Sequence, residues 1–246
     1  MDVLILLLAA VATALATGFG AVPVFLLGAR AAAVRPALWG LTVGLMTVAS
    51  FVGLLEPALD EGEPAAVAAG IVVGVLFLLL ARTVLHGRDV HVGALRGARV
   101  RTSVLVFSVL FVHSLPEGFA IGTAYASDRA GLSLFVILAI ALQNIPEGTS
   151  VAIPMEAAGF RAKEQFWAAV TTSAPQPVGA LIAYLLVENV QALLPFSFAF
   201  AAGAMLALVA VELAREAFAR RTWPVGLAGT LVGAGLMLGL AGALGV

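Results

Sequence analysis

The chain contains no cysteine. That removes disulfides and thiolate metal sites, and leaves the redox compartment open. Charge is scarce as well: Asp, Glu, Lys and Arg make up 11% of 246 residues, against 62% hydrophobic residues and a mean hydropathy of +1.09. A soluble domain of this length needs far more charge to cover its surface. A basic leader is missing too. Met1-Asp2 runs straight into apolar sequence, so the first segment is expected to be retained as a transmembrane helix and not cleaved as a signal peptide.

What is present is a succession of apolar runs of about 20 residues, the length that crosses a bilayer as a helix. Reading these runs against the charges, glycines and prolines between them predicts an all-α integral membrane protein, a single transmembrane domain over 1–246. Eight helices are expected at about 3–28, 36–56, 65–85, 102–126, 131–155, 165–187, 193–214 and 224–245. The basic residues test that count independently. Arg30, Arg35, Arg82, Arg88, Arg96, Arg99, Arg101, Arg161, Lys163, Arg215, Arg220 and Arg221 all fall on alternate connections, and Arg129 alone falls on the other side. By the positive-inside rule the crowded side is the cytoplasm, so 86–101 is a cytoplasmic loop and both termini face out. The opposite side carries Glu56, Asp60, Glu61 and Glu63. Glycine pairs such as Gly40 and Gly44 speak for close helix packing and say nothing about a substrate.

Two consecutive helices carry nearly the same hexapeptide, His113-Ser114-Leu115-Pro116-Glu117-Gly118 and Gln143-Asn144-Ile145-Pro146-Glu147-Gly148, both near mid-span. Positions i and i+4 share a helix face, so His113 points with Glu117, and Gln143 with Glu147. Each proline lacks an N–H and frees a carbonyl one turn back, at Val112 and at Leu142. A charged side chain at mid-bilayer costs roughly 2.5–3.5 kcal/mol on insertion scales. With no Lys or Arg at that depth, protons or a metal ion must neutralise the two carboxylates. One imidazole, two carboxylates and a carboxamide form a borderline N/O donor set that suits Zn²⁺, Fe²⁺, Mn²⁺ or Co²⁺ and disfavours Cu(I). Met46, near the middle of the second helix, is a further candidate through its thioether, with core packing as the competing reading.

These paired motifs resemble those of the ZIP (Zrt-/Irt-like) divalent metal transporters, in particular the prokaryotic GufA-like branch. The resemblance extends over the whole chain. Ala16 to Pro23 is similar to the family's first helix, Ser50-Phe51 with Leu54 to Ala58 to the second, and Gly203-Ala204-Met205 with Glu212-Leu213 to the seventh. It implies uptake of a divalent metal, zinc foremost with Fe²⁺, Mn²⁺, Co²⁺ and Cd²⁺ as further cargoes, through the cell membrane into the cytoplasm. It also implies an elevator in which helices one, four, five and six move against two, three, seven and eight, often in a homodimer. Carried over by position, the metal site is His113, Glu117, Gln143 and Glu147, with Met46 in addition. The family's adjacent second site is where the sequence departs: Ser114, Asn144 and Gln176 are its weak counterparts here, and all three are neutral.

Several features stand outside that set. His86 and His91 lie in the long basic loop, where solvated histidines and metal-handling ones read alike. Glu212 and Glu216 line the exit or balance Arg215 and Arg220. The expected partners are divalent ions, the lipid bilayer and a second copy, with no nucleic acid. No His-Glu-x-x-His motif supports a membrane metalloenzyme, so no enzymatic activity is expected. A proton-coupled carrier of another solute is the alternative within the transporter class.

Overall fold

The computed structural model describes residues 3–86, 98–127, 129 and 131–246. His91, Arg88 and Arg96 of the basic loop lie outside them. The described residues contain no strand: they form α1 (Val3–Phe19), α2 (Val22–Leu27), α3 (Ala31–Ser50), α4 (Glu56–Glu61), α5 (Pro64–His86) and α6 (Ala98–Ala126). The chain continues through α7 (Leu132–Ala157), α8 (Ala162–Thr172), α9 (Pro175–Asn189), α10 (Leu194–Leu208), α11 (Ala214–Ala217) and α12 (Trp223–Leu244). Helix is what such runs must form in lipid, because each backbone N–H and C=O then finds its partner within the segment. Seven stretches are long and apolar enough to cross a membrane: Val3–Leu27, Ala31–Glu61, Pro64–Val84, Leu132–Ala157, Ala162–Asn189, Gln191–Ala217 and Trp223–Leu244. Helix α6, at 29 residues, has the length but is not among them; it carries His113, Ser114, Glu117 and Thr123.

The stretches are interrupted in ways the hydropathy pattern does not foretell. The first breaks at Gly20 and Ala21, ahead of Pro23. Ala162–Asn189 breaks at Ser173 and Ala174, where Pro175 opens α9. Single π-helical turns, Phe51–Leu55 and Val209–Leu213, join α3 to α4 and α10 to α11. Wide turns of this kind collect at functional positions in long helices.

The helices associate in two groups. In one, α3 packs along α12 and α5 along α10; in the other, α6 packs along α9 and α1 along α7, with α8 beside α1 and α7. We call the first the scaffold and the second the bundle. Both rely on bare glycine for close approach. Gly40 and Gly44 meet the backbone of Gly226 and Thr230 across α3 and α12, while Gly118 and Gly148 meet the carbonyls of Gln176 and Thr17 inside the bundle. The two groups touch along an apolar seam, where Ala49, Leu54 and Met205 of the scaffold face Ala120, Val136, Ala139 and Ile140 of the bundle. The Phe119 and Phe200 rings meet edge to face across it with centroids 5.0 Å apart.

Charge sits at the two ends. At the basic end, Arg35 bonds Glu216 at 2.8 Å and Arg82 bonds Glu212 at 2.5 Å, both within the scaffold. Glu212 and Glu216 therefore pair with arginines of other helices, not with Arg215 and Arg220. At the acidic end Arg129, in the connection between α6 and α7, reaches from the bundle to the scaffold. Its Nε donates to Glu61 at 2.5 Å and an Nη to Asp60 at 3.1 Å. Partial burial works against this guanidinium charge, but the bonds to Glu61 and Asp60 outweigh it and raise the pKa above the ordinary arginine value.

Candidate metal centre

His113 and Glu117 lie one turn apart on α6, and Gln143 and Glu147 one turn apart on α7. Because α6 and α7 are consecutive and packed together, the two motifs meet, and all four residues are buried at 0–2% exposure. His113 Nε2 is 3.3 Å from Glu117 Oε1 and 3.6 Å from Glu147 Oε1. One donor atom from each of His113, Glu117 and Glu147 lies within 4.8 Å of the others, a spacing that a single ion spans. Gln143 Nε2 donates to Glu117 Oε1 at 2.5 Å.

The unsatisfied atoms are the informative ones. His113 Nε2, Gln143 Oε1 and Glu147 Oε1 are buried and engage in no hydrogen bond with the described residues. A buried acceptor without a partner costs about 1–3 kcal/mol; Gln143 Oε1 is one, whereas His113 Nε2 and Glu147 Oε1 face each other at 3.6 Å. All three are metal-ligand atom types; His113 and Glu147 lie in the cluster with Glu117, and Gln143 adjoins it through its nitrogen.

Met46 is fully buried in the apolar core on α3, a scaffold helix that packs against α7. Ser114 turns back on its own helix, its Oγ donating to the Leu110 carbonyl at 2.9 Å. Asn144 Nδ2 donates to the backbone carbonyl of Thr13 at 2.7 Å. Gln176 does reach the centre: its Nε2 donates to Glu117 Oε2 at 2.7 Å, while Thr13 Oγ1 donates to its Oε1 at 2.9 Å. Thr13 is absent from the sequence reading, because a single threonine inside an apolar run carries no motif. The break before α9 did have a signal, since Pro175 and Pro177 flank Gln176. Helix ends at membrane depth mark binding sites in transporters, and this one brings Gln176 beside Glu117. At the other break, Thr149 Oγ1 satisfies the Gly20 carbonyl at 2.6 Å and Thr17 bonds Ser173 at 2.6 Å.

The family model described as ZIP zinc transporter matches residues 84–241. The chain belongs to the ZIP family. The zinc transporter GufA of Myxococcus xanthus is 33% identical over 225 residues, covering 85% of this chain and 87% of its own. The zinc transporter ZIPB of Bordetella bronchiseptica is 33% identical over 249 residues, 94% of this chain and 78% of its own. A protein of Arabidopsis thaliana is 35% identical over 211 residues, 84% of this chain, which spans 33% of that protein's length. These likenesses support a prokaryotic GufA-like ZIP transporter in a multi-pass membrane setting, and a transporter in place of an enzyme.

Proposed function

We propose that this ZIP-family chain carries divalent metal ions, zinc foremost, into the cytoplasm through His113, Glu117, Gln143 and Glu147. The observation that carries the reading is the buried cluster of His113, Glu117 and Glu147, with one donor atom of each within 4.8 Å of the others and the Gln143 amide bonded to Glu117. The zinc-transporter names of the GufA and ZIPB relatives support the choice of ion. With two carboxylates ionised and the remaining groups neutral, the centre carries about −2, which one divalent ion cancels. A second ion would leave roughly +2 uncompensated in a low-dielectric setting, so one ion is held at a time.

The chain spans the cell membrane eight times, α6 included, with both termini outside and the acidic end facing out. The segregation of buried polar groups into the bundle and the apolar seam against the scaffold suit an elevator, in which the bundle bears the ion past a fixed partner. The chain works as a homodimer.

Proteoliposome uptake of a metal panel, read by an internal fluorescent indicator, tests the cargo. Zinc is taken up in the expected case, and flux of another solute with no metal flux would replace this reading. Orientation is tested in whole cells with an impermeant maleimide, since the chain is naturally cysteine-free. Glu61→Cys labels and His91→Cys does not; the reverse pattern inverts the topology.

A further inference from the structure

The two carboxamides that touch Glu117 are held in opposite ways. Gln143 is pinned on one side only: its Nε2 donates to Glu117, and its Oε1 receives no donor among the described residues. It is at liberty to turn its oxygen toward an ion. Gln176 is pinned on both sides. Its Nε2 donates to Glu117 Oε2 at 2.7 Å and to Asn144 Oδ1 at 3.3 Å. Its Oε1 accepts from Asn144 Nδ2 at 3.2 Å and lies 2.9 Å from Thr13 Oγ1, whose one proton is shared with the Ala10 carbonyl at 2.8 Å.

The orientations of these amides follow from the groups at either end. The Thr13 backbone carbonyl only accepts, so the Asn144 atom 2.7 Å away is its nitrogen. An ionised carboxylate also only accepts, so the Gln176 atom facing Glu117 is its nitrogen, and its oxygen is turned toward Thr13. The chain of bonds runs from the Thr13 residue on α1 through Asn144 on α7 and Gln176 on α9 to Glu117 on α6. It ties together the four helices around the centre. Thr13, Asn144 and Gln176 are each 0–1% exposed, so water does not compete for these bonds.

We propose that Thr13 and Gln176 form a tether that holds Glu117 Oε2, while Oε1, which accepts from the Gln143 amide held on one side only, meets the ion once that amide turns its oxygen inward. This rests on the metal-centre reading above and refines it. Glu117 Oε1 is the oxygen that faces His113 and Gln143, whereas Oε2 is spent on Gln176. Glu117 therefore binds through a single oxygen, and Gln176 is a positioning residue with no oxygen left to give the ion. One-oxygen binding keeps the coordination number low, as four-coordinate Zn²⁺ prefers, and withholds the extra oxygen that Mn²⁺ favours.

The test uses the full chain purified in detergent, with Zn²⁺ and Mn²⁺ affinities measured by calorimetry. Gln176→Met removes the amide at similar length, Thr13→Val removes the hydroxyl, and Thr13→Ser keeps it. Gln176→Met is expected to weaken Zn²⁺ by about 10–100-fold, the usual cost of losing a group that orients a metal ligand. Mn²⁺ weakens less, so the Zn/Mn preference falls. Thr13→Val shifts the preference the same way by a smaller factor, and Thr13→Ser returns it to the parent value. Infrared difference spectra of the Zn²⁺-loaded parent and Gln176→Met supply a readout that general loosening does not move. The separation of the two carboxylate stretches narrows in the variant as Glu117 turns from one-oxygen to two-oxygen binding. An unchanged Zn/Mn ratio in Gln176→Met overturns the tether, as does a Thr13→Val that matches Thr13→Ser. Should Gln176→Met fail to fold, the Thr13 pair decides alone. A parent that binds neither ion sinks the metal-centre reading itself, which separates the two failures.

Discussion

The bundle and the scaffold are built from the same apolar stock, and both use glycine to bring helices to backbone contact. Their interiors nevertheless differ in kind. In the scaffold, Thr42, Ser50 and Ser197 are the buried polar residues among those described. The bundle buries His113, Glu117, Gln143, Asn144, Glu147 and Gln176, together with a run of hydroxyls that includes Thr13, Thr17, Thr149 and Ser173. Its helices are also the ones broken within their spans, at Gly20 and before Pro175, whereas the scaffold's irregularities are π turns near the ends of α3 and α10. A membrane interior tolerates interrupted backbone and polar side chains where protein covers them, and it charges several kcal/mol per group elsewhere. The bundle accepts that cost in one place, around a donor set for an ion. The scaffold buries no ionisable side chain among the described residues. Polar and apolar interiors are thus divided between the two groups at the level of side-chain chemistry.

The largest effect that sharpens this contrast is at the two glutamates. Glu117→Ala or Glu147→Ala removes half the charge that meets a divalent ion and is expected to lower metal flux by about two orders of magnitude or more, given the cost of an uncompensated buried ion. The variants still insert and fold, and proteoliposome uptake at near-parent rates by either one would move the site elsewhere.

Next in size is the imidazole. His113→Ala is expected to weaken Zn²⁺ by about 10-fold or more while sparing Mn²⁺, because imidazole suits the softer ion. Competition binding measures the ratio, and an unchanged ratio takes His113 out of the ligand set.

Two glycines divide the groups more finely. A methyl at Gly44 meets the Thr230 backbone of the scaffold, and one at Gly118 meets the Gln176 backbone beside the centre. Each alanine substitution costs about 1–3 kcal/mol of overpacking, seen as a lower thermal midpoint in detergent. Gly44→Ala leaves the Zn²⁺ affinity at the parent value, whereas Gly118→Ala lowers it. Equal effects on affinity would mean that the two groups are not separate in function.

The smallest expected change is at Arg35, whose pair with Glu216 is roughly half-exposed on both sides. Arg35→Ala costs about 0.2–1 kcal/mol, leaves metal affinity untouched, and is read from the same melting curves.

How much of this the sequence discloses depends on contrast with its surroundings. Glu117 and Glu147 stand out because a carboxylate in an apolar run is rare, and the repeated Pro-Glu-Gly ties them to one place. His113 and Gln143 follow from helical spacing. The family assignment follows from the same motifs. Thr13 is invisible, since a threonine hydroxyl satisfies itself on its own helix in most membrane spans, as Thr13 also does with the Ala10 carbonyl. Its partner lies 163 residues away, and only the packed bundle brings the two together. The role of Gln176 is hidden for a different reason. A carboxamide offers both an acceptor and a donor, and which end faces Glu117 depends on neighbours from three other helices. For Glu212 and Glu216 the sequence leaves exit lining and pairing with Arg215 and Arg220 level, while the folded chain pairs them with Arg82 and Arg35 from other helices.

The Arg129 contact carries one further consequence. It fastens bundle to scaffold at the acidic end, across a seam whose opposing surfaces are otherwise hydrocarbon and aromatic ring. If the two groups slide past each other as proposed above, this charged clasp favours the register in which it forms. Ion pairs as open to water as these are each worth about 0.2–1 kcal/mol, a bias of roughly one- to fivefold in an equilibrium. Such a clasp leans the molecule toward one register without locking it there, and the ionic strength of the surrounding medium tunes how hard it leans.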